Sequence, residues 1–245
     1  MKLLAFDTST EILSVAVSRD DMDGAQVWQY TGAGGARASA DLIATVLDLL
    51  RQANLQLAEM DAICFGCGPG SFTGLRTACA VAQGLAFGAN VPVLPVDSLL
   101  AVAEEARFSG MVDVSKAEVV ALLDARMDEM YTASFVWSDG QWTVLSRDVL
   151  VRPENFAQQC ADLDSAKVTL AGNVFAVYSQ HLQAVAQRLP CVTALPTATA
   201  MLRLAPQLLA AGKAVPADQA LPSYIRDKVA KTTAERMAEK AAATP

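Results

Sequence analysis

Histidine is nearly missing from this 245-residue chain, in which His181 stands alone. A metal centre or acid-base pair that needs two imidazoles is therefore excluded. A nucleophile elbow of the Gly-x-Ser-x-Gly kind is also missing, and so is the Gly-Lys-Ser/Thr ending that would turn the glycine-rich stretch 66–74 into a Walker A loop. No apolar run approaches the roughly 18 residues needed to cross a bilayer. The chain opens with the strand-like run Met1 to Phe6 rather than a basic leader and cleavage site, which makes a cytoplasmic location the expectation. Cysteine is scarce and odd in number: Cys64, Cys67, Cys79, Cys160 and Cys191 are thinly spread, so reduced thiols are expected. Only Cys64 and Cys67 have metal or redox spacing, and with no second pair they leave a zinc site incomplete.

Charge is short on the positive side. The formal net charge of −7 argues against unaided binding to a phosphate backbone. Its distribution is uneven, because from Tyr224 onward Arg226, Lys228, Lys231, Arg236 and Lys240 outnumber three acidic residues. That segment is a candidate contact, with Tyr224 and Arg226 at its head, and also reads as a partly disordered tail. With 53% hydrophobic and 18% charged residues the chain as a whole is not disordered.

What is present reads as α/β. Leu3 to Phe6, a polar turn Asp7-Thr8-Ser9-Thr10-Glu11 and Ile12 to Val17 form a hairpin pattern. Val119 to Leu123, a turn led by Asp124 and Met130 to Trp137 repeat it, which points to two lobes of related topology. Between them, Ser39 to Gln52 reads as a helix with Leu42, Ile43, Val46, Leu47, Leu49 and Leu50 on a broad apolar face and Ser39 near its cap. Gly74 to Phe87 reads as a second, with Gly74, Ala78, Ala82 and Ala86 on one small-residue stripe. Packing on its own sheet and pairing with another subunit both fit that stripe. Further strands are expected at 93–94, 142–151 and 168–171, with helices at 99–108, near 153, at 174–189 and at 198–211. This places one lobe at 1–100, a second at 101–212 and, beyond them, a tail at 213–245 that packs back on the first lobe.

The densest motif is Gly66-Cys67-Gly68-Pro69-Gly70-Ser71-Phe72-Thr73-Gly74-Leu75-Arg76, set between a strand and a helix. Glycines that admit close approach, hydroxyls on Ser71 and Thr73 and the free N–H groups of a helix start suit an anion. A tight structural turn suits the same residues. Asp7, Thr8, Ser9, Gly68, Gly70, Ser71, Thr73 and Arg76 are the candidate phosphate or nucleotide contacts. His181 reads as an ordinary helix-face residue, with a Ser-His-Asp or Cys-His site built on it as the alternative.

The run 68–76, the Asp7-Thr8-Ser9 opening, Ala82-Gln83-Gly84-Leu85-Ala86, Asp124-Ala125-Arg126-Met127 and the terminal Pro222-Ser223-Tyr224-Ile225-Arg226-Asp227-Lys228-Val229-Ala230 closely resemble the TsaB (YeaZ) family. The resemblance implies a two-lobed actin-like ATPase superfamily (ribonuclease H-like) fold, each lobe a mixed sheet flanked by helices. It implies a non-catalytic dimerisation subunit that holds a TsaD-type catalytic paralogue and helps recruit a TsaE-type ATPase, for threonylcarbamoylation of adenosine 37 in tRNA. TsaC supplies the threonylcarbamoyl-adenylate, and tRNA is met only through the complex. The partner face implied is the two first-lobe helices, with Leu42, Ile43, Val46, Leu49, Leu50, Leu75, Ala78, Ala82 and Ala86. A large residue at Ala78 or Ala82 should then block pairing and spare the fold, and the lone chain should form a homodimer. No metal or cofactor is required; ATP or ADP at a subunit boundary is the one cofactor expectation. The chain departs from the family pattern at Ala38 and Cys67. A self-contained actin-like ATPase or phosphotransferase is the alternative, with Asp7 and Asp124 as its acidic pair and Arg126 crowding its second turn.

Overall fold

The computed structural model describes residues 1–21, 24–110, 118–161 and 163–226. The basic residues Lys228, Lys231, Arg236 and Lys240, and the order or disorder expected of the tail's end, lie outside them. The first lobe contains strands β1 Lys2–Asp7, β2 Ile12–Asp21 and β3 Gly24–Ala33, helix α1 Ala38–Ala53, strand β4 Ala62–Gly68, helix α2 Phe72–Ala89 and strand β5 Val93–Asp97. Helix α3 Ser98–Phe108 leads to β6 Glu118–Arg126, β7 Glu129–Ser138, β8 Gln141–Val151, α4 Pro153–Gln159, β9 Val168–Gly172, α5 Val174–Val177, α6 Ser179–Arg188, β10 Cys191–Thr193 and α7 Ala198–Ala210.

The two sheets have one design. Strand order is β3-β2-β1-β4-β5 in the first and β8-β7-β6-β9-β10 in the second, with three antiparallel strands followed by two parallel ones in each. The duplicated hairpin pattern in the sequence therefore reflects a duplicated topology. The central strands β1 and β6 are buried on both faces, which explains why they read as nearly continuous apolar runs. Leu3 and Ala5 face one way, toward a core shared with α3, α7 and the second sheet; Leu4 and Phe6 face the other, toward α1 and α2. In the second lobe Val119, Ala121 and Leu123 join the shared core, while Val120 and Leu122 pack with residues of α4, α5 and α6. The molecule is thus five layers deep, with α3 and α7 common to both lobes.

Several local expectations need correction. Ser39 does not cap α1: a short 3-10 turn at Gly35–Arg37 feeds directly into the helix, and Ser39 lies exposed in its first turn. Helix α2 begins earlier than its small-residue stripe, because Ser71 is the N-cap and accepts the Gly74 N–H at 3.4 Å. The helix expected over 174–189 breaks at Tyr178. Strands β3 and β10 carry little periodic signal, since β3 is an edge strand with most side chains exposed and β10 has three residues. Cys64 faces the shared core whereas Cys67 packs toward the α1–α2 side, so the one pair with metal spacing is divided between the two faces of the sheet.

Candidate functional site at the cleft and the outer helices

Asp7 ends β1 almost wholly buried, and its Oδ1 accepts the Ser9 N–H at 2.9 Å and the Ser9 hydroxyl at 2.8 Å. Its Oδ2 is buried and has no hydrogen-bond partner. Burial raises the Asp7 pKa to about 7, against the two Ser9 bonds that lower it. Thr8 donates its hydroxyl to the Gly74 carbonyl at 2.7 Å, and the Ser71 N–H donates to the Ser9 carbonyl at 2.7 Å. The first turn and the glycine loop are zipped together by these bonds. Two glycines are compelled by it: a Cβ on Gly66 would stand 1.8 Å from Asp7 Oδ2, and one on Gly74 would stand 1.8 Å from the Thr8 carbonyl oxygen.

Part of the donor set proposed for a phosphate is therefore used inside the protein. Thr8, Ser9 and the Ser71 amide bond to backbone or to Asp7, and Gly68 and Leu75 are buried beneath the loop. Thr73 and Arg76 are exposed on α2, and Arg76 Nε donates to the Tyr224 hydroxyl at 3.0 Å.

Across the cleft, Asp124 is equally engaged. It accepts the Tyr178 hydroxyl at 2.7 Å and the Arg126 N–H at 2.8 Å, pairs with the Arg126 guanidinium at 3.0 Å, and its own N–H donates to Asn173. Arg126 also pairs with Glu11 of the first lobe. Residues 126–128 all have left-handed backbone, with φ of 60°, 58° and 57°, and form the tight β6–β7 turn that carries the arginine into the cleft. Burial and the Asp124 bond push the Tyr178 phenol well above its usual range, which keeps it a donor. No spacing in the sequence announces the roles of Tyr178 and Glu11, which are 54 and 115 residues from their partners.

Between these turns lies a cavity of about 640 Å³, lined by Ser9, Gly70, Ser71, Asp124 and Arg126 among others, and closed on one side by Ser223 to Arg226. Asp7 is not in its lining. Exposed His181 on α6 is outside it too. Among the described residues, no three His, Cys, Asp or Glu side chains gather as metal ligands, and no helix is long and apolar enough to cross a membrane.

The sequence matches the family model described as "TsaD: tRNA N6-adenosine threonylcarbamoyltransferase" over residues 35–234. It is 32% identical to the tRNA threonylcarbamoyladenosine biosynthesis protein TsaB of Escherichia coli K12, across 94% of this chain and 96% of that one. The chain belongs to the TsaB (YeaZ) family. A Haemophilus influenzae relative of the same description is 33% identical over 94% of this chain and 95% of its own length. The solved structure described as YeaZ from Pseudomonas aeruginosa superposes with a TM-score of 0.75 at 35% identity, covering 91% of this chain and 99% of that one. The two-lobed actin-like fold expected from the resemblance is the fold observed.

Membership directs attention to α1 and α2, where the residues named from sequence need revision. Leu42, Val46, Leu49, Leu50, Leu75, Ala78, Ala82 and Ala86 are all buried within the chain, and most pack in the core beneath the two helices. Their stripes face the chain's own sheet, so they are not free to meet a partner. Of the nine residues only Ile43 is exposed, at 46%. Leu47 at 53% and Phe87 at 82% join it as exposed apolar side chains on the same two helices. A second small-residue row, Ala80, Gly84 and Gly88, is exposed on α2, and open space lies where Cβ atoms would stand on both glycines. Steps of four also connect these residues, half a turn away from the buried stripe.

Proposed function

We propose that this chain is a non-catalytic subunit serving threonylcarbamoyladenosine formation in tRNA, and that it docks a TsaD-type catalytic paralogue through the outer faces of α1 and α2. One observation carries the reading. Asp124 and the hydroxyls of Thr8 and Ser9, which an actin-like ATPase would turn toward a metal-bound phosphate, are engaged in internal bonds and Asp7 is sealed from the cleft, whereas Ile43, Leu47 and Phe87 stand exposed on two adjacent helices. Exposed apolar side chains on both helices, together with the exposed glycine row of α2, suit a helix-on-helix contact with close backbone approach. The relatives' names supply the process, and the acidic net charge favours contact with tRNA through the complex rather than by this chain alone. A TsaE-type ATPase joins that complex in this reading, ATP or ADP sits at a subunit boundary, and the lone chain covers the same face by self-pairing in the cytoplasm.

Size-exclusion chromatography with light scattering on the chain, the paralogue and their mixture tests this. A one-to-one species is expected, and Ile43→Asp with Leu47→Asp should weaken it by at least about tenfold, because two buried apolar contacts become charged. Separate elution of the wild-type proteins would overturn the reading. Titration calorimetry with ATP, on the chain and on the pair, examines the nucleotide separately; heat with the chain alone would revive the self-contained ATPase.

A further inference from the structure

The segment from Val215 to Arg226 touches both lobes in sequence. Val215 exchanges backbone hydrogen bonds with Val93 at 2.8 and 2.9 Å, at the edge strand of the first sheet. Buried Ala220 then offers its carbonyl to the Gln83 amide of α2 at 2.8 Å and to the Cys79 thiol at 3.3 Å. The Ser223 N–H donates to the Cys67 carbonyl at 2.6 Å, in the glycine loop. Tyr224 packs its ring on Phe72, 5.4 Å between centroids, and receives Arg76. Two residues later Arg226 has crossed to the second lobe, where it pairs with Glu129, donates to the Arg126 carbonyl at 3.4 Å and lies 3.2 Å from Met127 Sδ. Ser223 to Arg226 all line the cleft cavity.

We propose that this segment is a strut joining α2 to the β6–β7 turn, so that whatever seats on the outer face of α2 alters the closure of the cleft. The geometry is that of a lever with two anchors. At the first, the strut holds four α2 residues: Phe72 and Arg76, which continue the row of Ala80 and Gly84 at steps of four, and Cys79 and Gln83, each of which immediately precedes a member of that row. At the second, Arg226 meets the turn whose Arg126 pairs with Glu11 of the first lobe. A shift of α2 is transmitted through the Cys79 and Gln83 side-chain bonds to Ala220 and the tilted Phe72–Tyr224 ring pair, and leaves the segment through the Arg226 side chain. The coupling half of this inference rests on the proposed partner face; the strut itself does not.

Hydrogen–deuterium exchange on the full chain separates the two. In Arg226→Ala without any partner, exchange in residues 124–129 should rise about tenfold, the effect of losing a charged hydrogen bond, while β1 and β9 stay protected. Tyr224→Phe keeps the ring and loses the Arg76 bond, so it should loosen 70–76 and spare 124–129. Unchanged exchange in 124–129, or a rise that spreads equally through β1 and β9, would overturn the strut. Addition of the TsaD-type paralogue should slow exchange in 124–129 of the wild type and leave Arg226→Ala unaffected. If a complex forms and both respond alike, the coupling is wrong although the docking face is right; if none forms, the docking face is wrong and the first arm still decides the strut.

Discussion

Asp7 has one oxygen satisfied by Ser9 and another sealed from any partner, and this asymmetry has a consequence in pH. Its pKa is raised from 3.8 to about 7, so the folded chain holds the proton more tightly than the unfolded one. The resulting stability is fully present below pH 3.8 and is lost as pH rises toward and through about 7. Asp97, also raised to about 7 by burial and by the nearby Asp148 carboxylate, adds the same sign over the same window. Melting midpoints from pH 5 to 8 should therefore fall for the wild type, and fall less for Asp7→Asn, which cannot titrate. Parallel curves would refute the burial of an ionisable Asp7. The sequence made Asp7 legible as the head of a polar turn but not as a sealed acid. Gly66, about sixty residues away, lies against its unpartnered oxygen, and the β1–β4 pairing brings the two together.

At the level of elements, α2 shows what a periodic pattern can and cannot convey. Steps of four identify a helix and a small-residue row, yet two such rows coexist, one through Ala78 and Ala82 and one through Ala80 and Gly84. Which row meets the sheet depends on how the strand before it delivers the chain, and the Thr8–Gly74 bond fixes that rotation. Ala82→Leu adds three carbons to a site with no exposure and should cost about 1–3 kcal/mol by overpacking, read as a lower urea midpoint. Gly84→Leu enters open space and should leave the midpoint unchanged or raise it, since glycine is a poor helix former by about 1 kcal/mol. Its effect should appear in pairing, where a bulky side chain would hold the partner helix away. If Gly84→Leu still forms the one-to-one species while Ala82→Leu folds normally, the assignment of faces is reversed. The missed strands have the same lesson. β3 lacks clear alternation because neither of its faces is well covered, so no selection by a core is written into its residues.

For the molecule as a whole, the question is whether two lobes of one topology behave as one folding unit. The sequence hinted at duplication through Asp7 and Asp124, but it could not show that α3 and α7 belong to both sheets. Their shared core is pinned by Glu104, 1% exposed, which receives Arg107 at 2.8 and 2.9 Å, Arg203 at 2.8 Å and the Trp142 indole N–H at 3.0 Å. Burial alone would raise the Glu104 pKa, yet these donors hold it below its usual value, so the carboxylate stays charged and its network satisfied. The ring faces contribute as well, with Arg107 4.1 Å from the Trp137 ring centre and Arg203 3.9 Å from that of Phe108. Replacing Glu104 with alanine removes the acceptor shared by Arg107, Arg203 and Trp142, but both arginines reach solvent and Arg203 keeps Glu105, so the cost should be about 2–3 kcal/mol. Because α3 and α7 serve both sheets, that cost should be felt equally in both lobes. Native-state hydrogen exchange provides the reading: the slowest amides of β1 and of β6 should report one common opening free energy in the wild type, and the two should drop together in Glu104→Ala. A drop confined to β6, with β1 unchanged, would mean that the lobes unfold separately and that the shared helices follow the second sheet alone.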